Sequence, residues 1–308
     1  MTPSRVDATP ANSVRPSRPT FRQRYYPQAN DSQWQDWRWQ LQHRLRKLTD
    51  IARIFDLSED ERTALAQPGR PFPVSITPYY ASLMDRQDAT DPLRRTMIPV
   101  PGEFLRSAGE YIDPLAEDQH SPVPGIVHRY PDRALFLMGE LCPVYCRYCT
   151  RSRLVGSPAE MPANRQRWQA GIDYIARTPQ IRDVLVSGGD PLLYPDEKLD
   201  WLLSRLRAIP HVEMIRLGSK IPMVLPQRIT PDLCTVLKQY HPLYISVHIT
   251  HPREFTPEAN TACTRLADDG IPLRSQTVLM RGINDTPDTI KTLMHAMLRV
   301  RVNPYYLL

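Results

Sequence analysis

From Gly125 onward, short apolar runs alternate with amphipathic stretches. The runs are Ala134–Met138, Val184–Val186, Met214–Leu217, Leu243–Val247, Thr277–Met280 and Val302–Leu308. Stretches with helical spacing separate them, over residues 164–177, 196–208, 231–240, 257–269 and 287–300. Short apolar runs rich in β-branched residues suit strands that are covered on both faces. Six such strands alternating with five helices predict parallel βα units, hence an α/β fold. In such an array chemistry gathers at the C-terminal strand ends. Three cysteines follow the first strand, Ser187–Gly188–Gly189–Asp190 the second, His248 the fourth and Arg281–Gly282 the fifth.

The helix starts share one design. Thr230–Pro231–Asp232, Thr256–Pro257–Glu258 and Thr286–Pro287–Asp288 each place Thr at the cap, Pro at the first helical position and an acid in the first turn. Tyr194–Pro195–Asp196 is a looser version. Upstream, Trp34, Trp37, Leu41, Leu45 and Leu48 fall at helical spacing behind the cap signals Asn30–Asp31–Ser32, which predicts one helix there. A second is predicted over Ser58–Gln67, with Ser58 and Glu61 forming a capping box. Residues 68–127 are Pro-rich with short helical pieces. The expected organisation is a basic, Pro-rich disordered leader over 1–30, a helical region over 31–125 and the βα array over 126–308.

Composition narrows the function. Hydrophobic residues make up 41% of the 308 positions, enough for a large core. No apolar run is long enough to span a membrane, and the first residues lack a signal-peptide core, so a cytoplasmic protein is expected. The net charge of +6 is spread along the chain, with a local concentration at Arg15, Arg18, Arg22 and Arg24. That run reads as a solvated leader and not as a nucleic-acid arm; anionic small molecules suit a basic protein equally well. Of five cysteines, Cys142, Cys146 and Cys149 fall within eight residues. An odd, clustered set argues for metal ligation in a reducing compartment and against a disulfide framework. Cys234 and Cys263 sit among apolar helical positions and read as small buried hydrophobes.

Cys142-Pro-Val-Tyr-Cys146-Arg-Tyr-Cys149 has C-x3-C-x2-C spacing. Soft thiolates select iron–sulfur clusters or zinc. Three ligands on one tight loop can hold three irons of a cubane and leave the fourth open. A closed zinc site needs a fourth ligand, for which no paired cysteine is offered. The loop resembles that of the radical S-adenosylmethionine superfamily. Its sequel Thr150-Arg151-Ser152-Arg153 resembles the lysine 2,3-aminomutase family within it. So do Asp36–Trp37–Arg38–Trp39–Gln40, Ile76–Thr77–Pro78–Tyr79–Tyr80, Ser121–Pro122–Val123–Pro124–Gly125, His128–Arg129–Tyr130–Pro131–Asp132–Arg133, Leu225–Pro226–Gln227–Arg228–Ile229–Thr230 and Pro304–Tyr305–Tyr306.

The resemblance implies a partial parallel (β/α)6 barrel and three cofactors: a 4Fe-4S cluster on the three cysteines, S-adenosylmethionine and pyridoxal 5′-phosphate. It implies that Ser187, Gly188, Gly189, Asp190 and His248 hold S-adenosylmethionine. Arg129, Tyr130, Arg133 and Gln276 would hold pyridoxal phosphate, and Arg151 the substrate carboxylate. Forked guanidinium donors suit phosphate and carboxylate alike. The implied reaction is a 2,3-aminomutase isomerisation. A deoxyadenosyl radical removes hydrogen from C3 of an amino acid and nitrogen migrates from C2 to C3, with lysine the leading substrate. Glutamate, arginine or a protein-bound lysine are alternatives, and Thr150 favours the free amino acid. A truncated, non-catalytic iron–sulfur protein is the reading from another class. An electron donor such as flavodoxin or ferredoxin and a homo-oligomer are further implied partners; nucleic acid and membrane are not.

Two departures stand out. The family's lysine that holds pyridoxal phosphate lies in a segment beyond the equivalent of Leu308, and Lys220 is a poor substitute; a fragment or a shortened reading frame is therefore expected. Thr286 stands where some members place a zinc-binding cysteine, so a zinc-bridged dimer is not expected. Asp285 is read as a helix-start residue only.

Overall fold

Seven strands hydrogen-bond in the order in which they occur along the chain. They are β1 Ile126–Tyr130, β2 Arg133–Gly139, β3 Asp183–Gly188, β4 Met214–Ser219, β5 Leu243–His248, β6 Leu273–Thr277 and β7 Val302–Leu307. The computed structural model describes residues 18–69, 72–105, 107–156 and 163–308. Strands β2 to β7 are parallel and β1 pairs antiparallel with β2. Helices Arg165–Ala176, Asp196–Arg207, Pro231–Leu237, Pro257–Asp268 and Pro287–Arg299 connect successive parallel strands. This is the expected α/β plan of a partial (β/α)6 barrel, with one extra strand at its edge.

The helix-start device works as the sequence predicts. Thr230, Thr256 and Thr286 each accept the backbone N–H three residues on, with Pro at the start of each helix. Pro195 supplies no side-chain cap. Cys234 and Cys263 are buried helical residues.

Four expectations need correction. Strand β6 lies at Leu273–Thr277, ahead of the expected Thr277–Met280. Its buried residues alternate with Arg274 and Gln276, so no apolar run marks it. Strand β1 was not expected. Arg129 and Tyr130 lie on it and Arg133 opens β2, so Pro131 and Asp132 form a hairpin turn and not a bend leading into one strand. The expected helix from Asn30 is broken. Asn30 caps Asp31–Gln35, and the Asp36 carboxylate then accepts from the N–H of Arg38 at 2.8 Å to start a new helix, Trp37–Gln42. The leader was expected disordered to residue 30, yet Arg18–Tyr25 is helical. Phe21 is buried against the rings of Tyr25, Tyr26 and Trp34, while Arg22 reaches Asp31 at 2.5 Å. The aromatic trio anchors a segment whose average composition is polar. The rest of the expected leader, residues 1–17 with Arg15, lies outside the described residues.

One cluster of buried side chains runs from Phe21 to Val302 and joins the helical region to the sheet. Polar contacts reinforce the join: Thr77 donates to the carbonyl of Val224 at 2.8 Å and Tyr80 to Glu254 at 2.7 Å. Within the helical region the buried Arg94 forks onto Glu61 at 2.6 and 2.8 Å and also donates to the carbonyls of Asp56 and Arg86. Among the described residues no helix is long and apolar enough to cross a membrane.

Candidate active site

The C-terminal ends of β2 to β6 face one cavity of ≈ 230 Å³. Cys142, Cys146 and Cys149 enter it from the loop after β2. Ser187, Gly188, Gly189 and Asp190 come from β3, Lys220 from beyond β4, His248 from β5 and Gln276 from β6. His248 and Gln276 are register partners on adjacent strands. Residues more than a hundred positions apart thus converge as the parallel array requires. Arg281 and Gly282, expected at the same mouth, do not line it; the carbonyl of Gly282 instead accepts from Arg95 at 2.8 Å.

The cysteine loop is held from outside the barrel. Arg44 donates to the carbonyl of Cys142 at 3.0 Å, and Ser75 to that of Pro143 at 3.2 Å. Backbone bonds tie Tyr145 to Ser75 and Arg147 to Thr96. The glycine pair holds the loop from within. The N–H groups of Gly189 and Asp190 donate to the carbonyls of Gly139 and Leu141 at 2.5 and 2.7 Å. Gly188 has φ of +112°, and a Cβ on Gly189 would lie within 2.7 Å of the Leu141 backbone. The glycines were expected to admit a ligand; their closest approach is to the chain leading into the cysteines.

All five cysteines are free thiols. Burial pushes Cys146 up to about 11, Cys142 well above its ordinary value and Cys149 upward as well. Half-buried thiols from one loop, with no disulfide among them, fit an iron–sulfur cluster, whose irons deprotonate their thiol ligands outright. Among the described residues no group of three His, Cys, Asp or Glu is placed to hold a single metal ion.

Behind the cysteines lies a polar network that no local pattern announces. The Lys220 ammonium meets Glu254 at 2.7 Å and Thr250 Oγ1 at 3.2 Å. Glu254, fully buried, also accepts from Tyr80 Oη and the N–H groups of Thr250 and His251. Burial works to raise the Glu254 carboxyl, but Lys220 and these hydrogen bonds outweigh it and hold the group low. His248 is driven down to about 4, first by burial and then by the charges of Lys220 and Arg151, and so presents a neutral imidazole. Asp190 rises to about 6 through burial, against hydrogen bonds from Ser219 and the N–H groups of Lys220, Leu192 and Ile221. Those bonds tie β3 to β4, so its carboxylate works within the protein.

A second cavity of ≈ 310 Å³ adjoins the first, and Leu115 and Arg151 line both. It collects Arg129, Tyr130, Arg133, Arg216 and Tyr306. Arg133 pairs with neighbouring Asp132 and Arg216 with Asp183. Arg129 donates to the carbonyl of Leu115 and has no carboxylate partner among the described residues. Of the four guanidinium groups on this cavity, those of Arg133, Arg151 and Arg216 are paired with carboxylates, which leaves Arg129 as the one able to meet an anion without first giving up such a partner. Gln276, expected beside the arginines, lines the cysteine cavity instead.

The Radical SAM superfamily model matches residues 136–294. An L-lysine 2,3-aminomutase of Fusobacterium nucleatum is 50% identical over 93% of this chain and 67% of its own length. The chain belongs to the radical SAM superfamily and, within it, to the lysine 2,3-aminomutase family. Its members by that name are isomerases. Another L-lysine 2,3-aminomutase, of Clostridium subterminale, is 47% identical over 92% of this chain and 68% of its own length. A glutamate 2,3-aminomutase of Clostridioides difficile is 40% identical over 90% and 65%. The chain spans about two thirds of the length of these relatives. For a radical SAM protein, the residues that sequence reasoning missed are Arg44, Arg216, Glu254 and Glu117, which lines the arginine-rich cavity and pairs with Arg151 at 2.7 Å. Glu254 closes a capping box with His251, but nothing local marks any of the four for the site; each reaches it from a distant part of the chain.

Proposed function

We propose that the protein is an amino acid 2,3-aminomutase acting on free L-lysine. The observation that carries the reading is the pair of adjoining cavities: one holds three thiols, the other four arginines, and Arg151 belongs to both. Cys142, Cys146 and Cys149 would hold a 4Fe-4S cluster. Ser187, Gly188, Gly189 and His248 line the space for S-adenosylmethionine beside it, and Asp190 braces the β3 and β4 ends that shape that space. Arg129 and Arg133, with Tyr130, would take the phosphate of pyridoxal phosphate, and Arg216 adds a further cation there. When bound, these groups supply radical generation and electron delocalisation for migration of nitrogen from C2 to C3.

The protein's own residues position and exclude. Arg151 offers a forked guanidinium to the substrate carboxylate at the junction of the cavities. The neutral His248 can exchange hydrogen bonds without adding charge near the cysteines. The buried Lys220–Glu254 pair keeps a fixed dipole behind Cys146. An external electron donor such as a flavodoxin or ferredoxin is part of this reading, and so is a homo-oligomer.

The test is product analysis. The anaerobically reconstituted protein, given S-adenosylmethionine, pyridoxal phosphate and a chemical reductant, is offered lysine, glutamate and arginine in parallel. β-Lysine as the main product supports the reading. Conversion of glutamate or arginine in preference overturns the choice of substrate.

A further inference from the structure

Arg151 lines both cavities, as Leu115 does, and it is gripped from one side only. Its Nε lies 3.0 and 3.1 Å from the two carboxylate oxygens of Glu117, and its Nη2 lies 2.7 Å from Oε1. Among the described residues Nη1 makes no hydrogen bond. Glu117 is 5% exposed and lines the arginine-rich cavity. Several features place it there. Ala116 has φ of +51°, an unfavourable backbone for a residue with a Cβ, and it sits directly before Glu117. The N–H of Asp118 donates to Asp113 at 2.9 Å and closes the turn. Arg153, two residues beyond Arg151, reaches Asp118 at 2.9 Å and Asp113 at 3.4 Å. The segment 113–118 is therefore clamped to the cysteine loop at two arginines, with its backbone strained at the residue that aims the carboxylate.

We propose that Glu117 is the positioning residue for substrate binding. It occupies the Nε–Nη2 fork of Arg151, fixes the plane of the guanidinium and turns the Nη1 edge toward the substrate's carboxylate. The proposal rests on the reading of Arg151 as the carboxylate receptor. Two carboxylates can share one guanidinium because its five donors form two edges. A long side chain held at one edge has less rotamer freedom to lose when the second carboxylate arrives. Glu117 also offsets part of the positive charge that Arg129, Arg133, Arg151 and Arg216 accumulate on this cavity, so Arg151 is kept for one defined contact.

The experiment compares Glu117→Gln, Glu117→Ala and Arg151→Met with the native protein. Each is reconstituted with cluster, S-adenosylmethionine and pyridoxal phosphate but left unreduced, so that no turnover occurs. Calorimetric Kd values are read for lysine and for lysinamide, which lacks the carboxylate. Lysine binding is expected to weaken about tenfold in Glu117→Ala, or about 1.4 kcal/mol, and less in the isosteric Glu117→Gln. Lysinamide binding stays within about twofold of native, and the electron paramagnetic resonance signal of the cluster after separate reduction is unchanged. A lysine Kd within twofold of native in both Glu117 variants overturns the proposal. So does an equal loss for lysine and lysinamide, which marks a merely structural role. If Arg151→Met also leaves the lysine Kd unchanged, or the native protein binds no lysine, the underlying reading of Arg151 has failed. If Arg151→Met weakens lysine and the Glu117 variants do not, only the role of Glu117 has failed.

Discussion

Replacing Lys220 with Met isolates the energetics of the network behind the cysteines. Lys220 and Glu254 are 2.7 Å apart, with side chains 7% and 0% exposed. The Met side chain fills most of the space of the lysine stem but leaves Glu254 without its cation. Three donors remain, from Tyr80 and the N–H groups of Thr250 and His251. They do not offset a carboxylate fully removed from water. Breaking such a pair on one side costs about 3–5 kcal/mol. For a chain of this length that is a fall in Tm of about 5–8 °C. The sign of the pH dependence is specific. Burial works to raise the Glu254 carboxyl, and Lys220 is the largest influence holding it low, ahead of the hydrogen bonds from Thr250 and Tyr80; the expectation for the variant is that burial then dominates and the folded pKa rises above the unfolded one. The variant's folded state then binds more protons than its unfolded state, so its deficit is largest at neutral pH and shrinks as pH falls. Adding Glu254→Gln to Lys220→Met recovers part of the loss. The assay is chemical unfolding of the metal-free, reduced protein at pH 7 and pH 5. A loss below about 1 kcal/mol, or a deficit that does not change with pH, refutes the reasoning.

Three further outcomes follow from the site. Gly189→Ala forces a Cβ against the backbone of Leu141, which cannot yield as a flexible side chain would; the protein should take up markedly less iron, whereas Gly102→Ala, with nothing within 4 Å, loads normally. Native iron content in Gly189→Ala refutes the packing role. His248 should titrate near 4 in the metal-free protein when followed by nuclear magnetic resonance. Because its folded pKa lies below the unfolded 6.5, its contribution to stability is present above that value and is lost as pH falls toward 4, by about 3 kcal/mol, a dependence that His248→Gln should remove. Arg129→Met should weaken pyridoxal phosphate binding, read from its absorbance, by about tenfold or more if one charge-assisted contact to phosphate is lost; an unchanged affinity separates Arg129 from the phosphate.

The sequence makes the array legible because its signals are local. Thr–Pro–acid caps and short apolar runs place five of the parallel strands and all five connecting helices to within a few residues. Strand β6 escapes because Arg274 and Gln276 interrupt it, while the apolar Val278–Met280 that follow are loop residues with Leu279 half exposed. The cysteine spacing gives the cavity, and the family motifs give the arginines of its neighbour. What stays hidden is made of pairs distant in sequence: Lys220 with Glu254, Arg151 with Glu117, Arg44 with the carbonyl of Cys142. Nothing in the spacing of these residues marks them, since only the fold brings them together. The glycine pair is the subtler case. Its motif is visible, but its closest partner, the Gly139–Leu141 backbone, becomes evident only once the strands are aligned.

The measurement that bears most directly on the central claim is formation of 5′-deoxyadenosine. The protein is reconstituted with iron and sulfide without oxygen, reduced, and given S-adenosylmethionine. The account predicts product that disappears in Cys146→Ala. An intact 4Fe-4S spectrum with no 5′-deoxyadenosine, or product that survives Cys146→Ala, contradicts it.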